Sequence, residues 1–148
     1  MNFIIVIFLV LPMQSCSNDD DCSPIIIPIT SLEDEYGCIN TPYQMDIDLS
    51  EDFTIIRSQT VFDDLVTGTC LPQIDFEAFD LLIGKKALTS GFETINYNGL
   101  VKSCDNAQLN LTVIFVRNAT AVAPNASYHV LVPKLGENEV IFVDIVVI

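Results

Sequence analysis

QLNLTVIFVR, residues 108–117, is the clearest element in the chain. Leu109, Leu111, Val113 and Phe115 alternate with Asn110, Thr112, Ile114 and Val116. Successive side chains of a strand point to opposite faces, so a period of two marks a strand with one face on a core. Upstream, residues 92–97 read as a strand that follows the turn Thr89-Ser90-Gly91, and Asn98-Gly99 is a turn signal. Residues 79–83 are apolar enough for an interior strand, which Gly84-Lys85-Lys86 is expected to break or bulge. Residues 43–49 alternate again, with Met45, Ile47 and Leu49 opposite Gln44, Asp46 and Asp48; residues 53–57 form the next strand.

Downstream, a loop over residues 118–127 leads to a strand at 128–132, stopped by Pro133. Gly136-Glu137-Asn138 then turns the chain into a last strand at 140–147. Ser58 is placed to cap one short helix over about residues 59–66, with Val61, Phe62, Leu65 and Val66 on its apolar face and Asp63 and Asp64 outward. The expected fold is therefore mainly β (α+β): about seven mostly antiparallel strands in a sandwich-like or curled sheet. Antiparallel pairing is expected because most connections are too short for parallel crossovers.

The N-terminus carries a different signal. Residues 3–13 are an unbroken apolar run, closed by Gln14, Ser15 and Cys16. A secretory core has about 7–15 apolar residues before a small-residue cleavage site. A membrane span needs about 20, and Pro12 ends this run early. No Lys or Arg precedes the run, which departs from the usual secretory pattern. Met13-Gln14-Ser15-Cys16 resembles a bacterial lipobox, in which cleavage precedes the cysteine and lipid is attached to its thiol. Ser17, Asn18, Asp19, Asp20 and Asp21 follow as an acidic leader similar to the surface-export tag of Bacteroidetes-type lipoproteins. These resemblances imply a signal peptide over residues 1–15, a lipid anchor on Cys16 in the outer membrane, and exposure at the cell surface. Residues 16–31 read as an acidic tether with an extended edge segment, Ile25-Ile26-Ile27, between Pro24 and Pro28. Residues 32–148 read as a single β-rich domain.

The 148 residues carry twenty acids and six bases, a net charge of −14. Nucleic-acid binding needs clustered Lys and Arg, so this balance excludes it as an expected partner. The charge also disfavours lying flat on an anionic membrane and provides solubility. With Cys16 lipidated, Cys22, Cys38, Cys70 and Cys104 form an even set in an oxidising compartment, with three possible connectivities. Cys38 and Cys70 both follow turn-like sequence, which favours that bridge and leaves Cys22 with Cys104. Closing the Cys38–Cys70 loop is worth roughly 3–4 kcal/mol on the chain-entropy view.

Little in the chain has catalytic spacing. Asp46, Asp48, Ser50 and Asp52 have the alternate oxygens of a calcium loop, but Glu51 stands where such a loop needs Gly, and Arg57 where it needs a bidentate Glu. This pattern reads as a solvated strand face and an acidic turn. His129 is the single histidine and lies in an expected strand, so it reads as a structural or surface residue. No G-x-S-x-G elbow, C-x-x-C pair, phosphate loop or dinucleotide fingerprint occurs. No catalytic residue, metal site or cofactor is expected. Asn110, Asn118 and Asn125 begin Asn-x-Ser/Thr triplets, which in a bacterial lipoprotein read as coincidence.

From Ile56 onward the order of short cues resembles the C-terminal domain of the protease complex subunit PrcB. The cues are Ile56-Arg57-Ser58, Asp75-Phe76, Gly84, the turn Thr89-Ser90-Gly91-Phe92, Tyr128-His129-Val130 and Pro133-Lys134. Ser90 and Phe92 depart from that family's glycine-rich turn, and the acidic leader and the Tyr36-Gly37-Cys38 region, outside the match, are more similar to uncharacterised flavobacterial surface lipoproteins. The resemblance implies a non-enzymatic accessory domain that stabilises or assembles a surface protease, and carries over no catalytic residue. The expected partner surface is a sheet face or the turn of Thr89, Ser90, Gly91 and Phe92, with Lys85 and Lys86 beside it. The alternative is a protease inhibitor presenting the same turn; a hydrolase using acidic residues is the weakest reading.

Overall fold

A computed structural model describes residues 22–50, 52–104 and 108–148. The expected signal peptide, Cys16 as the expected lipidation site, and the expected export tag of Ser17, Asn18, Asp19, Asp20 and Asp21 lie outside the described residues, as does Glu51. Along the chain run β1 (Ile25–Ile27), β2 (Thr30–Ser31), α1 (Leu32–Tyr36), β3 (Asp46–Ile47), β4 (Phe53–Ile56), α2 (Gln59–Leu65) and β5 (Val66–Thr67). Then follow β6 (Phe79–Ala87), β7 (Phe92–Lys102), β8 (Leu109–Arg117), β9 (Asn125–Pro133) and β10 (Ile141–Val147).

Two four-stranded sheets, β1-β7-β8-β10 and β2-β9-β6-β4, share a core, and β3 and β5 form a small ribbon. The shared core takes Leu109, Leu111, Val113 and Phe115 from β8, as their alternation requires, and meets Leu82, Tyr128, Val130 and Val132 from β6 and β9. Phe115 stands edge-on between Phe92 and Tyr128, at centroid distances of 5.8 and 6.1 Å. A second apolar layer lies on the far side of β6 and β9, where Leu81, Ile83 and Leu131 meet Leu32, Cys38, Met45, Ile47, Phe62 and Val66. Each fully buried side chain of this size is worth roughly 1.5–3 kcal/mol. The mainly β, sandwich-like architecture is thus as expected, with two layers of core around the middle sheet.

Several elements differ from the expectation, each for a physical reason. β8 and β10 pair in parallel. Their connection is not short: β9, lying in the opposite sheet, serves as the crossover. β6 runs unbroken through Gly84, Lys85 and Lys86 to Ala87. Gly84 is there because a Cβ would collide with the Tyr128 ring. Asn98 and Gly99 do not turn the chain: together they oppose the one residue between Val113 and Leu111, a bulge within β7, with Gly99 at φ 58°. The strand expected at 43–49 shrinks to β3, because residues 41–45 close a turn on the Thr41 carbonyl. β9 begins at Asn125, inside the expected loop.

In α2, Ser58 caps as expected, accepting from the Val61 N–H at 3.3 Å, but only Phe62 and the following Val66 are buried; Val61 and Leu65 are exposed. α1 is an additional helix, capped by Ser31, whose hydroxyl accepts from Asp34 N–H at 3.0 Å, and closed by Gly37. The segment read as a tether is ordered structure in its described part. β1 pairs with β7, β2 pairs with β9, and Pro28 lies where the chain changes sheets. Two disulfides, Cys22–Cys104 and Cys38–Cys70, join Cα atoms 5.7 and 5.6 Å apart.

Candidate functional site

β7 is paired with β8 along one side, but β1 covers its other side only at Leu100, Val101 and Lys102. Beside the uncovered part lies a cleft of about 630 Å³, bounded by residues 39–41, by residues 118–124 and by β7 from Phe92 to Asn96. The opening stretch of β7 supplies the floor because Phe92 turns inward onto Phe115, while Glu93 and Thr94 stay exposed.

A chain of hydrogen bonds fixes the wall at residue 40. The His129 backbone N–H donates to Tyr97 Oη at 3.0 Å, Tyr97 Oη donates to Asn40 Oδ1 at 3.3 Å, and Asn40 Nδ2 donates to a Glu33 carboxylate oxygen at 3.4 Å. β2 stops short of His129, so this N–H finds the tyrosine hydroxyl where a strand partner is missing. Burial pushes the Tyr97 hydroxyl well above its ordinary pKa, keeping it a neutral donor. The sequence gives no spacing that links Tyr97 with Asn40, 57 residues apart. Glu33 was legible only through α1, whose markers are Ser31, Asp34 and Gly37.

The expected partner turn is divided by the structure. Thr89 is exposed and Ser90 half-buried, whereas Gly91 is buried and Phe92 packs into the core. Gly91 N–H donates to the Thr120 carbonyl, Asn118 N–H donates to the Gly91 carbonyl, and Asn118 Nδ2 donates to the Phe92 carbonyl at 2.9 Å. The turn is thereby stapled to the loop that edges the cleft. Lys85 is drawn away from it and pairs with Asp46 at 2.8 Å, its side chain mostly buried. Lys86 is half-buried in β6.

The alternate oxygens at 46–52 do not converge. Asp46 is taken by Lys85 and by Ser127 Oγ at 3.1 Å, and Asp52 caps Phe53 N–H at 2.8 Å. Burial pushes the Asp46 carboxyl up, but the Lys85 ammonium and neighbouring hydrogen bonds outweigh it and hold its pKa below the usual value. Among the described residues, no group of three or more His, Cys, Asp or Glu side chains is arranged to hold a metal ion.

His129 is fully buried on the Leu131 side of β9, and neither ring nitrogen makes a hydrogen bond, although the Ile39 carbonyl lies nearby. Burial pushes its pKa down to about 4, so the ring is neutral near pH 7. Asp80, also fully buried, accepts from Lys134 Nζ at 2.6 Å and from Leu135 N–H at 3.1 Å, with Arg57 Nε 3.8 Å away. Arg57 and Lys134, both within the short cues quoted above, therefore serve to hold the end of β4 and the chain after β9 onto β6. No family model matches the chain, and neither a curated protein nor a solved structure matches it.

Proposed function

We propose that this chain is a lipid-anchored cell-surface protein whose β-rich domain binds and stabilises a surface protease complex, without catalysing a reaction itself. The observation that supports this reading is the fastening of the N-terminal segment. Cys22 is bridged to Cys104 and β1 is laddered onto β7. Cys16 and Cys22 are six positions apart, at most about 20 Å of extended chain. A lipid on Cys16 would therefore hold the domain close against the membrane surface, where neighbouring membrane proteins are within reach. The inhibitor alternative draws less support, because Gly91 and Phe92 are held inward and of the four turn residues only Thr89 is exposed.

Metabolic labelling with a clickable palmitate analogue, followed by fractionation, tests the anchor. The chain should carry the label and pellet with the outer membrane, and Cys16→Ala should lose both properties. Unchanged membrane fractionation of Cys16→Ala would overturn the anchor. For the accessory role, deleting the chain should lower the level and activity of one surface protease that crosslinks to it on intact cells. Surface protease levels that do not move on deletion would remove that role.

A further inference from the structure

β7 has eleven residues, and β1 occupies the outer side of only the last three. Among the described residues, no strand lies against that side over residues 92–98. The cleft beside it continues past Glu33, Ile95 and Asn96 into a second depression of about 300 Å³ that reaches Tyr97. The two form one trench along β7 from Gly91 to Tyr97, roughly 23 Å at the rise of a strand.

An open strand edge presents a row of backbone N–H and C=O groups, and burying them against anything but another strand leaves them unpaired. Glu33, Asp34 and Glu93 line the trench, and no Lys or Arg does. The chain as a whole carries −14, so a second copy meets repulsion while a basic segment is attracted. Ile39 and Val122 stand exposed on the walls, giving apolar contact to alternate side chains of an extended peptide. The wall itself is pre-formed by the Tyr97–Asn40–Glu33 hydrogen bonds.

We propose that this trench takes an extended, basic peptide segment of a partner protein as an added strand on β7. Backbone pairing would supply affinity, and the three carboxylates would select lysine- or arginine-bearing sequences. The inference goes beyond the accessory reading and holds whether or not Cys16 is lipidated.

The test uses the full chain purified in detergent and capped eight-residue peptides that alternate valine with lysine. Comparison peptides replace lysine by glutamate or methylate alternate backbone nitrogens. Fluorescence anisotropy measures affinity, and hydrogen exchange locates the protected amides. The lysine peptide should bind and protect residues 92–98, more weakly as salt rises. Both comparison peptides should bind at least tenfold more weakly. The double variant Glu33→Gln, Glu93→Gln, changed only at exposed positions, should bind about threefold to tenfold more weakly. Glu137→Gln, remote from the trench, should bind as the parent does. Equal binding of the glutamate or methylated peptides overturns the proposal, as does protection at β10 instead, or no binding at millimolar peptide. Protection of residues 92–98 by self-association without peptide also overturns it, by naming a second copy as the occupant.

Discussion

In the sheet β2-β9-β6-β4 both faces are covered. Leu82, Tyr128 and Val130 face the opposite sheet, while Leu81, Ile83 and Leu131 face α1, α2 and the bridged Cys38. Among the described residues, the sheet β1-β7-β8-β10 has only one face covered, and Asn110, Thr112, Ile114 and Val116 of β8 look outward, each half-buried. The two sheets have the same number of strands, so the difference lies in what the chain packs on top. A face covered by helices favours apolar or internally paired side chains, His129 being the exception here, whereas a face open to water tolerates amides and hydroxyls beside Ile and Val.

Removing one aromatic from each outer surface should separate the two sheets most clearly. Phe62 is fully buried over the covered sheet, and Phe142 is 52% exposed on the open one. Phe62→Ala should cost about 3–5 kcal/mol, for lost transfer energy plus the cavity left behind. Phe142→Ala should cost no more than about 0.5 kcal/mol. Urea unfolding with both disulfides intact measures both. Equal losses would mean that the open face is covered in solution and that the asymmetry is not real.

The same contrast explains which parts of the fold were legible. β8 declared itself because one of its faces is wet, so its alternation survives in the sequence. β6 and β9 are buried on both faces and read as plain apolar runs, so the sequence does not mark their ends: Gly84 reads as a break and Asn125 as loop. Asn98-Gly99 misled for a different reason, since a left-handed residue serves a bulge as well as a turn. The trench was hidden almost entirely. It depends on β1 leaving β7 after three residues, on a helix too short to show periodicity, and on contacts between segments far apart in sequence.

The covered face also makes stability depend on pH. His129 sits on the covered face with its ring buried, and its pKa is about 4 in the folded chain against about 6.5 when unfolded. Between those values the unfolded chain binds more protons. The stability is therefore fully present above about pH 6.5 and falls as pH drops toward 4. The shift corresponds to a loss of about 3 kcal/mol. Asp46 and Glu139 have lowered pKa values, so their contributions fade only as pH falls through the ordinary carboxylate range and below. His129→Leu should flatten the stability profile between pH 6.5 and 5, and by removing two unpaired ring nitrogens it should leave the domain at least as stable at pH 7. A variant with an unchanged slope would show that His129 is hydrated or paired in solution.

The smallest effect belongs to the open sheet and to its one bulge with a left-handed residue. At Gly99, φ is 58°, and an added Cβ would come within 3.0 Å of Ile26 Cγ2. Ile26 is 72% exposed and can swing aside, so the cost of Gly99→Ala is the backbone term alone, about 1–2 kcal/mol. The effect should also be local. Amide exchange should speed up over Ile25–Ile27, which β7 holds in register through Leu100, while β6 and β9 keep their protection. The bulge lies where β1 ends and the uncovered edge of β7 begins, the place at which a bulge stops one pairing and frees a strand for another. If Gly99→Ala leaves stability and β1 exchange unchanged, the left-handed turn of the backbone is not what separates the two halves of β7. The departure of β1 would then rest on Pro28 and the pull of β2 onto β9.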